Sequence, residues 1–81
     1  MMTTDDLRVG DVVTLGEFDA HRGFTLRDIK ESAGCWVLTL RCGNLQYHMR
    51  PWKATDLSVV LWVDNVRRDG QVVYARSPKD G

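Results

Sequence analysis

Four side chains in this sequence could support nucleophilic or metal chemistry: His21, Cys35, Cys42 and His48. A thiol nucleophile needs a base within hydrogen-bond reach and a third group to orient that base. Cys35 or Cys42 with His48 is the one candidate pair, because His48 lies on the strand expected to pair with the cysteine strand. With Gly43-Asn44 as the turn, Cys42 flanks the turn and His48 lies several residues further along the ladder, which keeps thiol and imidazole apart. Structural zinc takes four ligands, commonly at Cys-x-x-Cys or His-x₃-His spacing. No two of these four residues have such spacing. Gly10, Gly16 and Gly23 are too widely separated to form a phosphate-binding loop and do not open a helix. The expectation is therefore a protein that is not an enzyme and has no catalytic, cofactor-binding or metal site.

The other chemistry available is recognition. Arg50-Pro51-Trp52-Lys53 sets an indole beside a strand-ending proline between two cations. Such a group can stack on an aromatic side chain or a base while the cations hold carboxylate or phosphate. Trp and Arg are also the types most enriched at protein–protein hot spots. Trp62, in the run Val59-Val60-Leu61-Trp62-Val63, is a second exposed-aromatic candidate. Strand alternation would place Val59, Leu61 and Val63 inward and leave Val60 and Trp62 outward, with Val66 or Tyr74 as a continuation. These residues predict a partner-binding set of Arg50, Trp52, Lys53 and Trp62. The partner would be another protein or a second copy of the chain. The alternative is an RNA- or single-strand-DNA-binding set of Arg41, Tyr47, Arg50, Trp52 and Lys53. The plain structural alternative is that Trp52 closes one end of the fold and its basic neighbours are only solvated.

The elements that must position these residues are strands almost throughout. Alternation and turn signals place strands over 7–15, 24–31, 35–41, 45–49, 58–63 and 71–75. Residues 16–23 read as a loop. A bulge near Arg27 or Asp28 would bring Phe24, Leu26 and Ile29 to one face. Trp36, Leu38 and Leu40 share a face, as do Leu45, Tyr47 and Met49. Gly43-Asn44 and Arg67-Arg68-Asp69-Gly70 carry hairpin-turn residues. Residues 54–57 suggest one helical or 3₁₀ turn capped by Thr55 or Asp56. The expected organisation is a flexible N-terminus over 1–6, one domain over 7–75 and a flexible tail over 76–81. The expected fold is all-β: a small SH3-like barrel of five to six short antiparallel strands. A five-stranded oligonucleotide-binding barrel is second, since it usually carries a longer helix.

Residues 9–29 resemble the KOW motif of transcription elongation factors and ribosomal proteins. Gly10, Asp11, Val13, Gly16, Phe18, Gly23 and Ile29 carry the resemblance. The chain departs from the motif in a shorter spacer between Val13 and Gly16, and in Asp19 and His21 within the loop. The resemblance implies an SH3-like barrel and, less directly, nucleic-acid binding.

Size and charge bound these readings. Eighty-one residues make one domain, in which most apolar side chains are needed for the core. The formal net charge is zero. That excludes a protein whose main role is to coat nucleic acid. The balance is a cancellation: residues 1–40 hold four basic against seven acidic side chains, and residues 41–81 hold seven against four. Two cysteines on one strand predict free thiols, because the roughly 23 Å that separates them is beyond disulfide reach. The polar, acidic start and the absence of a long apolar run predict a cytoplasmic chain with no membrane partner. The expected role is a small accessory or regulatory interaction module, of a kind that phage or mobile elements encode.

Overall fold

Three two-residue turns organise the chain into hairpins. Ala33-Gly34, Gly43-Asn44 and Asp69-Gly70 each connect adjacent strands, and positive φ at Ala33, Gly34, Gly43, Asp69 and Gly70 supplies the twist that tight hairpins need. The computed structural model describes residues 1–16 and 22–76. Within them lie β1 (Val12–Leu15), β2 (Arg22–Ser32), β3 (Cys35–Cys42), β4 (Leu45–Met49), β5 (Val63–Arg68) and β6 (Gln71–Ala75). All pair antiparallel in one sheet of order β4-β3-β2-β1-β5-β6. The fold is all-β, with only 3₁₀ turns besides strands among the described residues. Among the described residues no helix is long and apolar enough to cross a membrane.

The expected bulge is present. The β2–β3 register steps from Leu26 opposite Leu40 to Asp28 opposite Thr39, so Arg27 is the extra residue. The bend keeps Phe24 and Leu26 fully buried and sets half-buried Ile29 against the same core. Leu15, Leu38, Leu40, Leu57, Val63 and Val66 complete the centre of that core.

The ladder does not close into a barrel. Among the described residues β4 pairs only with β3 and β6 only with β5, so two edges stay open. Closure would need the outer strands to meet, and β6 instead extends the β1–β5 side outward.

Four sequence expectations move. The 58–63 segment is not a strand: Leu57–Val59 is a 3₁₀ turn, Leu61 and Trp62 form a turn, and β5 starts only at Val63. Parity fails with it. Val60 is buried, whereas Val59 and Leu61 are 64% and 68% exposed, and Val66 lies fully inside. The helical turn sits at 57–59 rather than 54–57, although Asp56 does cap it by accepting from Ser58 N–H at 2.9 Å. Residues 1–6, expected to be flexible, are tied to the domain. Thr4–Asp6 forms a capped 3₁₀ turn and Thr4 is buried. Arg76, expected to start a frayed tail, is firmly bonded. Residues 17–21, with Phe18 and His21, and residues 77–81 lie outside the described residues.

Candidate functional site

The chain leaving β4 runs back along β3. Trp36 N–H donates to Pro51 C=O at 2.9 Å and Lys53 N–H to Gly34 C=O at 3.0 Å, which pairs Trp52 with Cys35 as a short bridge. The N-terminal turn holds this segment from the other side. Thr4 Oγ1 donates to Trp52 C=O at 2.7 Å, Thr4 N–H to Thr55 C=O at 2.8 Å, and Leu57 N–H to Met2 C=O at 3.0 Å. The Trp52 backbone is therefore fixed while its indole stays 66% exposed. Gly34 lies beside the indole, where an added Cβ would sit 3.5 Å from the ring.

The second 3₁₀ turn faces it. Pro51, Trp52, Thr55, Val59, Val60, Leu61 and Trp62 line an apolar groove of about 360 Å³. Trp62 is half-buried against the core, and Val59 and Leu61 stand on the open rim. Arg76 supports this wall from below. Its guanidinium donates to Ser58 C=O at 3.1 Å, Val60 C=O at 2.8 Å and Val63 C=O at 3.1 Å. Ser58 lies in the short 3₁₀ turn, Val60 just after it and Val63 at the start of β5, so one arginine ties the turn to the strand that follows.

The structure thus brings Trp52 and Trp62 into one groove. Arg50 is exposed next to the lining Pro51. Lys53 is used internally: its ammonium lies 4.7 Å from the Trp36 ring centroid and pairs with Glu31. Trp36 Nε1–H in turn donates to Asp5 Oδ1 at 2.7 Å, and the same oxygen accepts from Ala54 N–H at 2.9 Å. The Ala54 and Trp36 donors hold the Asp5 carboxyl below the usual aspartate range, with Lys53 adding to the effect.

The wider basic-aromatic set is not assembled. Arg41 lies at the far end of β3 from the Trp52 bridge, about 20 Å away along a strand. Its Nε–H donates to Gly43 C=O within its own hairpin. Tyr47 packs its ring 5.2 Å from Phe24. The thiol–imidazole pair is separated too: Cys42 faces Leu45, and His48 faces Thr39 three residues along. Both cysteines are free. Among the described residues no three His, Cys, Asp or Glu side chains gather to hold a metal ion.

Sequence reasoning missed two groups. Arg76 was one. The other is the partner of Asp11. Gly10 takes φ of 99° and Asp11 Oδ2 accepts from Arg8 N–H at 2.9 Å, as a Gly-Asp turn before a strand suggests. Arg68, fifty-seven residues on, then closes on the carboxylate with Nε–H to Oδ1 and Nη2–H to Oδ2, both at 2.9 Å. Asp11 is 1% exposed. Burial alone would raise its pKa, but the Arg68 and Arg8 hydrogen bonds outweigh it and hold the carboxyl below the usual range. No local signal pairs residues so distant in sequence.

No family model matches this chain, and neither a curated protein nor a solved structure shows significant similarity to it.

Proposed function

We propose that the protein is a non-catalytic interaction module that binds another protein through the Trp52–Trp62 groove. The carrying observation is the exposure of Trp52, Val59 and Leu61 around one apolar groove. An 81-residue domain has few apolar side chains to spare from its core, so three large ones left at one place mark a surface that is covered in use. The groove suits one or two apolar side chains of a partner segment. Arg50, exposed and next in sequence to the lining Pro51, favours an acidic residue on that partner.

Strand order, the 3₁₀ turn between β4 and β5 and the bulge that bends β2 all favour an SH3-like arrangement with one added edge strand. The Gly10-Asp11 turn adds the KOW-like feature. The nucleic-acid reading loses support because the Tyr47 ring packs on Phe24, Lys53 pairs with Glu31, and Arg41 lies remote from Trp52.

The test is differential capture. Immobilised wild type, Trp52→Ala, Leu61→Asp and Val9→Asp are compared on one native lysate. Val9 is 62% exposed and lies outside the groove lining, so its substitution controls for general stickiness. A protein retained by wild type and Val9→Asp but lost from both groove variants supports the reading. Retention of every captured protein by all four contradicts it. Salt-dependent binding of a fluorescent single strand, lost in Arg41→Ala, would favour nucleic acid instead.

A further inference from the structure

We propose that the outer edge of β4 pairs with β4 of a second copy, antiparallel about a two-fold axis through Tyr47. The strand reads Leu45-Gln46-Tyr47-His48-Met49. It is symmetric in character about its centre, running apolar, polar, aromatic, polar, apolar. Antiparallel self-pairing about Tyr47 sets Leu45 opposite Met49 and Gln46 opposite His48 of the other copy.

The backbone groups are aimed for this register. Gly43-Asn44 is a two-residue turn, and Cys42 and Leu45 face each other across it. The turn bond runs from Leu45 N–H to Cys42 C=O. Alternation along an antiparallel ladder then turns the N–H and C=O of Leu45, Tyr47 and Met49 toward β3. Those of Gln46 and His48 point away from it. Among the described residues no strand lies there. The two-fold register joins each Gln46 to the His48 of the other copy by both N–H···O=C bonds, four in all, around a central non-hydrogen-bonded Tyr47 pair.

The side chains fit as well. Gln46 Nε2 and His48 Nε2 already lie 3.4 Å apart along one strand, so the two groups suit hydrogen bonding to each other across the axis. Leu45 is 39% exposed and Met49 half-buried on the inner face, and each would cover the other. The strand carries no Asp, Glu, Lys, Arg or Pro, the usual guards of an open edge. The next outward pair joins Asn44 to Arg50, which is not a like-charge contact. Zero net charge removes long-range repulsion between copies. The other edge is unlike this one. The β5–β6 register skips Val73, so β6 is bulged and cannot add a regular partner.

Five residues per copy make a small interface, so the dimer is weak and in fast exchange. The full-length protein is sedimented from about 20 μM to about 1 mM, in the range where weak pairs form. In parallel, amide exchange is read at the low and high ends of the series. The expected result is a concentration-dependent dimer, with Gln46 and His48 amides roughly threefold or more better protected at high concentration and Leu45 and Tyr47 amides unchanged. Gln46→Lys together with His48→Lys places cations opposite cations and removes the dimer. So does His48→Pro, whose lost N–H faces outward and leaves the β3 ladder intact. Gln71→Lys on β6 changes nothing. A monomer at every concentration overturns the proposal. So does a dimer that survives the β4 variants, or one abolished by Trp52→Ala and not by them. The wild-type exchange measurement decides the matter even if a β4 variant fails to fold.

Discussion

Asp11 and Trp52 break the usual sorting of polar and apolar groups in opposite ways. Asp11 is a charge taken inside, at 1% exposure. Every donor it needs is supplied, by Arg68 from the far hairpin and by Arg8 N–H from its own turn. Trp52 is a large indole left outside, 66% exposed, with Val59 and Leu61 beside it. A buried group that is fully paired has finished its work within the molecule. An apolar group held outside by a well-bonded backbone has not. That contrast separates a polar pair that holds the fold together from the surface proposed to meet a partner.

Removing the Asp11–Arg68 pair should have the largest effect. Asp11→Ala leaves the Arg68 guanidinium and Arg8 N–H without their acceptor, and chemical denaturation should show a loss of about 2–3 kcal/mol. For a chain of this size each kcal/mol lowers Tm by about 4–8 °C. Groove binding by the remaining folded protein should be unchanged. A loss below about 0.5 kcal/mol would break the comparison at once, since the buried charge would then hold nothing together.

The same pair has a pH signature. The folded-state pKa of Asp11 is depressed, so its contribution is complete above the ordinary aspartate pKa and is lost as pH falls through the folded value. Stability should therefore drop steadily below about pH 5, and Asp11→Asn should flatten part of that slope. Asp5, also depressed, keeps the remainder. An unchanged slope in Asp11→Asn would assign acid sensitivity elsewhere.

Arg76 combines the two traits, being polar architecture beneath an apolar surface. Arg76→Met retains the stem and removes the donors to Ser58, Val60 and Val63 C=O. A stability loss of about 1–2 kcal/mol is expected, with faster amide exchange confined to the 57–63 segment. Uniform exchange across the sheet would show that the arginine stabilises the fold generally rather than the groove wall.

The smallest stability effect belongs to the rim. Leu61→Ser should leave the melting curve within about 0.5 kcal/mol of wild type, because Leu61 is already in water. Partner affinity should fall at least tenfold, about 1.4 kcal/mol. A large destabilisation would mean that Leu61 belongs to the core after all.

The sequence was legible wherever structure is local. Gly10-Asp11, Gly43-Asn44 and Asp69-Gly70 announce turns by their own φ preferences, and the slip in alternation around Arg27 announces the bulge. Residues 58–63 were misread for a physical reason. An apolar run has no period to distinguish a buried strand from an exposed turn. What decides it here is Asp56 capping the 3₁₀ turn and Arg76 bonding its carbonyls from eighteen residues away. At the site, the two tryptophans could be named from type alone, but their meeting in one groove depends on the Cys35–Trp52 bridge and the N-terminal turn. Lys53 was legible as a cation. Its capture by Glu31 and Trp36 was not, because both partners lie on strands distant in sequence.

The most direct test is an amide shift map of isotope-labelled protein titrated with the protein captured by wild type and lost from Trp52→Ala and Leu61→Asp. Shifts should concentrate at 51–62 and spread to Gly34, which lies against Trp52. Shifts centred instead on Arg8–Asp11 and Arg68, with residues 51–62 unmoved, would contradict the assignment of the groove as the binding surface.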